Sequence, residues 1–124
     1  MTAKKTKKQK AYDRGLWAES LAAMFLMLKG CRILERRYKT PVGEIDLIAK
    51  RGKTLLMVEV KARAGLDEAL EAVDLKTQKR IEKATLIFLS KHPHYVDYTI
   101  RFDVIALTRP FRFRHLDNAW QARS

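Results

Sequence analysis

Four charged residues interrupt two apolar segments near the middle of the sequence. Residues 43–63, GEIDLIAKRGKTLLMVEVKAR, are otherwise typical of two buried strands joined by a tight turn. Gly52-Lys53 suits a two-residue type II′ turn, because glycine takes the first turn position, where φ is positive. The charged residues that this hairpin must accommodate are Glu44, Asp46, Glu59 and Lys61.

A hairpin with this turn places the four charges on one face. Asp46 is predicted to lie opposite Glu59, and Glu44 opposite Lys61. The other face is predicted to be continuously apolar, with three cross-strand pairs: Ile45 with Val60, Leu47 with Val58, and Ala49 with Leu56. Ile48 and Met57 share the charged face, so we expect a helix to cover that part of it.

The Asp46 and Glu59 carboxylates can converge on one point, because directly opposite residues have Cβ atoms about 4.5–5.5 Å apart. Two such charges destabilise each other unless a positive charge lies between them. Mg²⁺ typically binds one or two carboxylates and keeps several waters, so this pair is predicted to bind Mg²⁺ or Mn²⁺. Lys61 would lie near the ion, where it could orient the attacking water and offset charge on a phosphate.

A plainer interpretation treats these side chains as an exposed strand face. Ion pairs such as Glu44 with Lys61 would then be surface pairs of about 0–1 kcal/mol each. The helix expected over Ile48 and Met57 favours the metal site, because it would leave the charged side chains partly buried.

The spacing of Asp46 and the tripeptide Glu59-Val60-Lys61 resembles the PD-(D/E)XK nuclease signature, although Pro41 and Asp46 are separated and form no Pro-Asp pair. Longer segments resemble the YraN family of poorly characterised bacterial proteins and follow one another in the same order. These segments are GLWAESLAAMFLMLKGCRIL, GEIDLIA, MVEVKAR, AVDLKTQKRI and RFDVIAL. The resemblance covers about residues 12–120.

The YraN family is similar in fold to the Holliday-junction resolvases of archaea, so the resemblance implies a restriction-endonuclease-like core with its metal at the Asp46/Glu59 hairpin. It also implies a metal-dependent endonuclease that hydrolyses phosphodiester bonds, with branched DNA as the expected substrate. Carried over from the resolvases, Glu19 would be a further catalytic residue and metal ligand, acting through water. Lys76 matches a position where related nucleases contact phosphate, and Lys79 and Arg63 are further expected nucleic-acid contacts.

Several alternatives stay open. Glu19 and Lys76 could be ordinary residues of solvated helix faces. The chain could be a noncatalytic DNA- or RNA-binding module that keeps the nuclease fold, or an assembly factor that binds RNA or ribosomes. Resolvases act as symmetric pairs, so a homodimer is also open, with Trp120 or Phe111 at the contact.

The periodicity of the sequence predicts an α/β domain with the order αβββαβ(β), in which helices flank a mixed central sheet. A first helix is expected from Asp13 to about Lys29, with Gly30 as its stop. Strands are expected at residues 32–38, 44–51, 54–63 and 99–107, with a short edge strand at 111–115. One long helix is expected at residues 67–91. On the fourth strand, Arg101 and Asp103 are expected to form an internal ion pair.

The chain is strongly basic, which indicates a polyanionic partner. Its 124 residues suit one domain, and 26 Lys and Arg against 14 Asp and Glu give a net charge of +12. The five lysines of residues 2–10 contribute +5, which leaves +7 on residues 11–124. Nucleic acid is therefore the expected partner, and the resemblance to resolvases implies DNA rather than RNA.

Composition also predicts the domain organisation. Residues 1–10 are expected to be a disordered basic tail, and residues 11–124 a single domain. The resemblance to the YraN family implies that this domain is nuclease-like. The tail has no apolar core of a secretory signal, and no apolar run approaches the roughly 18 residues of a membrane span, so a cytoplasmic protein without a membrane segment is expected. Cys31 is the single cysteine, so neither an internal disulfide nor a CxxC zinc site is expected.

Overall fold

A computed structural model describes residues 6–108 and 112–122, which form a five-stranded sheet and its flanking helices. Helix α1 spans Lys7–Leu28, and strands β1 (Arg32–Thr40), β2 (Gly43–Arg51) and β3 (Thr54–Ala62) follow. Helices α2 (Leu66–Glu71) and α3 (Leu75–Lys91) and a 3-10 turn at Pro93–Tyr95 lead to strands β4 (Thr99–Thr108) and β5 (Arg112–Trp120). The predicted α/β class with a mixed sheet is confirmed, and its element order is compatible with a restriction-endonuclease-like core.

The strands lie in the order β1-β2-β3-β4-β5. Neighbouring strands are antiparallel except β3 and β4, which are parallel. Helices α2 and α3 connect β3 to β4, and this crossover connection allows the two strands to run parallel. Glu59 and Lys61 in β3 therefore lie beside Val104 and Ala106 in β4.

Each face of the sheet packs against a different helix. On one face, α1 contributes Ala18, Ala22 and Leu26 to a buried core with residues such as Leu47, Val58 and Ile105. On the other face, α3 contributes Ile81, Ala84 and Phe88 to a core with residues such as Ile48, Met57 and Phe102. The helix expected over Ile48 and Met57 is thus present, because α3 covers them.

Helix α1 begins earlier than the sequence analysis expected, so the predicted start at Asp13 was wrong. The Thr6 hydroxyl accepts from the Gln9 N–H at 3.1 Å, and the Gln9 side chain accepts from the Thr6 N–H at 2.9 Å. This reciprocal capping box satisfies two backbone donors and starts the helix at Lys7. Residues 7–10, which were expected to be disordered, are therefore helical, and residues 1–5 lie outside the described residues.

The predicted stop of α1 at Gly30 is confirmed. Gly30 has a φ of 89°, and its N–H donates to the carbonyl of Met27 at 3.0 Å. The N–H of Cys31 donates to the carbonyl of Leu26 at 2.9 Å. These two bonds form a Schellman motif, in which glycine adopts the left-handed conformation without a Cβ clash.

The long helix expected at residues 67–91 is two helices. Asp74 lies between α2 and α3, and its side chain accepts from the Thr77 N–H at 2.9 Å, which caps α3. Val73 is buried beside this cap. The break matters for the site because it sets where the first turn of α3, with Lys76, begins.

Strand β5 is longer than the expected edge strand at residues 111–115, of which Phe111 lies outside the described residues. Trp120 at its end stacks on Phe102, with 5.0 Å between ring centroids. The role of Trp120 in a dimer stays a prediction, and in this chain it packs against the core on the α3 side. Of the helices in residues 6–108 and 112–122, none is long and apolar enough to cross a membrane.

Candidate active site

The turn predicted for the central hairpin is confirmed. Arg51 pairs with Thr54, so Gly52-Lys53 forms the two-residue turn, and Gly52 has a positive φ of 58°. From this turn the ladder continues regularly to the pair Leu47 and Val58. The turn glycine therefore sets the register that brings Asp46 and Glu59 to the same end of the hairpin.

The predicted ladder was wrong beyond Leu47 and Val58, because regular pairing between β2 and β3 stops there. The Val60 N–H donates instead to Oδ2 of the Asp46 side chain, at 2.9 Å. A carboxylate thus replaces a backbone acceptor of the neighbouring strand, which satisfies the Val60 N–H and holds the Asp46 side chain in place.

An irregularity in β1 accompanies this opening. The pairing of β1 with β2 passes from Arg36 opposite Leu47 to Tyr38 opposite Ile45, which puts Arg37 across from Asp46. Arg37 has a φ of 54°, in the left-handed region that residues with a Cβ adopt uncommonly. The register between β1 and β2 is kept across this point, so the departure in β1 is confined to the backbone of Arg37.

Ile45 departs from the apolar face that the sequence predicts for it. It packs in the α3-side core with Ile48, so its predicted place opposite Val60 was wrong. The other members of the predicted apolar face do lie in the α1-side core: Leu47, Ala49, Leu56, Val58 and Val60. Alternation fails only at the residue next to Asp46.

The side chains of Asp46 and Glu59 meet in the gap between the parted strands. Their carboxyl groups lie close enough to interact directly, and Nζ of Lys61 lies 3.2 Å from Oε1 of Glu59. Asp46 is half-buried, and Glu59 is only 7% exposed. The structure thus brings together the three residues that the sequence analysis singled out as the centre of the site.

Burial raises the pKa of Glu59 to about 8, and the nearby Asp46 charge adds to this effect while Lys61 opposes it. Burial also raises the pKa of Asp46, against the hydrogen bond from the Val60 N–H. The state in which both carboxyl groups are charged is therefore unfavourable, and the single ammonium of Lys61 does not offset the repulsion. A proton or a cation between them would relieve the repulsion.

Glu19 reaches the same region from α1 but has a different partner. It is buried, and its Oε2 lies 3.2 Å from Nε of Arg37. Burial raises the pKa of Glu19, and Asp46 raises it further, against Arg37. Within residues 6–108 and 112–122, no three His, Cys, Asp or Glu side chains are arranged to hold a metal ion. The structure therefore brings two carboxylates into contact and places the third nearby.

Two cavities open from this centre, one on each face of the sheet. The α1-side cavity, of about 310 Å³, is lined by Glu19, Arg37 and Arg63 among others. The α3-side cavity, of about 580 Å³, is lined by Lys39, Thr77 and Arg80 among others. Both cavities share the four charged residues of the hairpin: Glu44, Asp46, Glu59 and Lys61.

The basic residues predicted to contact nucleic acid are only partly at this site. Arg63 lines the α1-side cavity. Lys76 is exposed on the first turn of α3, and Lys79 lines a separate cavity of about 780 Å³ between α3 and strands β4 and β5. Arg37, Lys39 and Arg80 carry no sequence signal of a role here, because only the tertiary structure brings them to the hairpin.

A second charged cluster surrounds Asp103 in β4, and it confirms the predicted ion pair with Arg101. Nε and Nη2 of Arg101 each donate to Asp103 at 2.9 Å. His115 Nε2 lies 2.8 Å from Oδ2 of Asp103, and the Asn118 N–H donates to Oδ1 at 3.0 Å. Asp103 is completely buried, so this cluster ties β5 to β4 rather than lining the cavities described above.

The sequence matches a known family over the region that contains the site. The sequence model of the uncharacterised protein family UPF0102 covers residues 18–107, which include Glu19, Asp46, Glu59 and Lys61. The chain belongs to the UPF0102 family. The family expected from the resemblance to YraN proteins is thereby confirmed.

Individual UPF0102 proteins are similar to this chain over nearly all of its length. A UPF0102 protein of Parvibaculum lavamentivorans is 49% identical over 112 residues, which cover 90% of this chain and 84% of that protein. A UPF0102 protein of Chelativorans sp. is 49% identical over 117 residues, or 94% of both chains. UPF0102 protein mlr4633 of Mesorhizobium japonicum is 50% identical over 118 residues, again 94% of both chains.

Proposed function

We propose that this UPF0102 protein is a metal-dependent endonuclease that hydrolyses phosphodiester bonds in nucleic acid, with branched DNA as its substrate. The observation that carries the proposal is the contact between the Asp46 and Glu59 carboxyl groups beside Lys61, in the gap between β2 and β3. A buried acid pair with an adjacent ammonium is unfavourable for stability alone, and perturbed ionisable groups in a cleft are typical of functional sites.

Asp46 and Glu59 are the residues that would hold Mg²⁺ or Mn²⁺. Their raised pKa values support this assignment, because a dication would supply the positive charge that the pair lacks. Two carboxylates are a usual protein contribution to a Mg²⁺ site, in which water and substrate phosphate complete the coordination. When bound, the ion would supply Lewis-acid activation of a water and of the phosphoryl oxygen.

The chain's own residues would orient the reaction. The Val60 N–H fixes the Asp46 carboxylate, so the acid pair keeps its geometry while substrate binds. The Lys61 ammonium, already 3.2 Å from Glu59, is placed to orient the attacking water and to stabilise charge that develops on the phosphate. Glu19 would act as a further ligand through water only after its contact with Arg37 loosens.

Nucleic acid is the proposed partner because the chain carries +12 and basic residues line both cavities. Arg63 is the best-supported of the three predicted contacts, because it lines the α1-side cavity. Lys76 and Lys79 would contact DNA only where it extends along α3. We also propose that the protein works in the cytoplasm, and a homodimer would fit a symmetric substrate such as a junction.

A cleavage assay tests the proposal. Purified protein is incubated with labelled flaps, four-way junctions, duplex and single-stranded DNA, in Mg²⁺ or Mn²⁺. We expect wild type to cut a branched substrate, and Asp46→Asn or Lys61→Ala to lose at least about a hundredfold in rate. Lys53→Ala, in the exposed turn of the same hairpin, is the matched control and should cut normally.

Two results would contradict the enzymatic proposal. If wild type cuts none of these substrates, nor RNA, with either ion, no hydrolase is present. If Lys61→Ala also leaves DNA affinity unchanged, the site does not contact phosphate either. DNA or RNA binding without cleavage would favour the alternative, a noncatalytic binding module that keeps this fold.

A further inference from the structure

The site opens on both faces of the sheet. The α1-side and α3-side cavities share Glu44, Asp46, Glu59 and Lys61, so these residues form the boundary between them. The opening exists because regular pairing of β2 and β3 ends at Leu47 and Val58. A chain-like ligand could therefore pass the acid pair and occupy both cavities at once.

The size of the two cavities limits what can occupy them. Their volumes of about 310 and 580 Å³ fall in the range of small-molecule sites, about 300–1,000 Å³. That is room for one or two nucleotides of one strand on either side of the acid pair. A base-paired strand would bring its complement into the same space, so the cavities suit unpaired nucleic acid.

Each cavity carries an exposed arginine that is placed to contact phosphate. On the α1 side, Arg63 follows directly after β3 and bonds through Nη1 to the Ala62 carbonyl, at 2.8 Å. On the α3 side, the backbone of Arg80 packs against Gly43, where an added Cβ would lie 2.9 Å from the Arg80 carbonyl oxygen. This close approach fixes Arg80 beside the turn between β1 and β2. The two arginines therefore line cavities that open from the acid pair on opposite faces of the sheet.

We infer that the site binds a single unpaired strand of DNA that crosses the end of the sheet, with Arg63 holding phosphate on the α1 side and Arg80 on the α3 side. This inference rests on the proposed function and specifies its substrate: the unpaired segment of a branched or flapped DNA. The scissile phosphate lies between the two arginines, next to Asp46, Glu59 and Lys61. Sequence readout is not required, because both arginines contact the backbone.

Equilibrium binding in EDTA tests the inference without any cleavage. Fluorescence anisotropy measures the affinity of wild type for a labelled 20-nucleotide DNA strand and for the same sequence as a blunt duplex. We expect the single strand to bind at least tenfold more tightly, which corresponds to about 1.4 kcal/mol. Equal affinity for the two, or preference for the duplex, would overturn the inference.

The salt dependence of single-strand binding tests the two arginines. Each phosphate contact contributes about 0.7 to the slope of log K against log salt, so Arg63→Ala and Arg80→Ala should each lower the slope by about 0.7. One strand occupies both cavities at once, so the double variant should lose about 1.4. Arg51→Ala, an exposed arginine at the turn end of the same hairpin, is the matched control and should keep the wild-type slope.

The outcomes separate this inference from the proposed function. If the protein prefers single-stranded DNA and the two arginine effects add, but no DNA is cleaved, the binding mode is supported and the proposed nuclease activity is contradicted. Cleavage by a protein that binds duplex as tightly as single strand would support a nuclease and contradict the single-strand binding mode. The same conclusion holds if the protein cleaves DNA but Arg51→Ala lowers the slope of log K against log salt as much as Arg80→Ala does.

Discussion

The backbone N–H of Val60 donates to the side chain of Asp46 at 2.9 Å, although regular pairing between their strands has already ended. The carboxylate thereby closes the ladder at the point where the strands part. It also faces Glu59, so one acid serves both the sheet and the candidate site. Replacing Asp46 should therefore affect folding as well as activity.

Divalent-ion binding should depend on the acid pair. We expect isothermal calorimetry to detect Mg²⁺ or Mn²⁺ binding to wild type, and Glu59→Gln to abolish it because a neutral amide is a weaker ligand than a carboxylate. The pKa of Glu59 is about 8, so binding at pH 7 should release about one proton. Titrations in buffers of different ionisation enthalpy measure that release. Glu71→Gln, on the exposed surface of α2, is the control, and unchanged binding in Glu59→Gln would contradict the site.

The stability of the metal-free protein should fall as pH rises from about 4.5 to 8. The pKa of Glu59 is raised from 4.5 to about 8 in the folded protein, so in this window the folded state holds a proton that the unfolded state releases. As pH rises through this window, such a group lowers the free energy of unfolding by at most about 1.4 kcal/mol per pH unit. Urea denaturation in EDTA at pH 5, 6.5 and 8 measures the slope.

The matched variant for this slope is Glu59→Gln, which cannot titrate. We expect its stability to decline less than that of wild type over the same pH range, and the two curves to diverge most at pH 8. Parallel curves for the two proteins would show that Glu59 ionises normally in the folded state.

Asp103 should be important for stability rather than for activity. Asp103→Asn removes the charge that Arg101 and His115 share, and losing one partner of a buried charged cluster costs about 3 kcal/mol. Burial alone would raise the pKa of Asp103, but hydrogen bonds from His115, Arg101 and the Asn118 N–H lower it below 3.8. The stabilisation is therefore present above pH 3.8 and lost as pH falls below it.

Chemical denaturation at pH 7 and pH 3 measures both parts of this prediction. Asp97→Asn, an exposed residue in the loop before β4, is the control and should change stability little. A loss of DNA cleavage in Asp103→Asn at a temperature where the variant is fully folded would contradict a purely structural role.

Gly43 should be sensitive to a single added methyl group. A Cβ there would lie 2.9 Å from the carbonyl oxygen of Arg80, so Gly43→Ala must move the turn between β1 and β2 away from α3. We expect a loss of about 1–3 kcal/mol in the free energy of unfolding. Gly15→Ala, in α1 with no atom within 4 Å of the added methyl, should instead stabilise by about 0.5–1 kcal/mol. Thermal unfolding of both variants measures the contrast, and equal effects would contradict the close packing.

The sequence was sufficient to predict the hairpin and the meeting of its charges. Gly52 fixes a two-residue turn, and alternation then places Asp46 and Glu59 at the same end. The helix stop at Gly30 was equally local. These features depend on residues within a few positions of one another, which is why pattern and turn chemistry predict them.

The features that were not predicted depend on tertiary contacts, or lie in segments whose sequence supports two different local structures. The left-handed conformation of Arg37, the opening at Asp46 and the displacement of Ile45 have no local sequence signal, so none of them could be predicted. By contrast, the capping box of Thr6 and Gln9 was visible in the sequence, but the lysine-rich composition favoured disorder instead. Helical periodicity continued through Asp74, which hid its role as a cap.

The connectivity of the sheet has a consequence for the order in which the protein folds. Asp46, Glu59 and Lys61 belong to one hairpin, whereas β4 joins β3 only after the chain has passed through α2 and α3. Contacts between residues close in the chain form sooner, since closing a short loop loses less entropy. We therefore expect Asp46 and Glu59 to come together while β4 is still unpaired, so that a cation could bind a folding intermediate and accelerate the remaining folding steps.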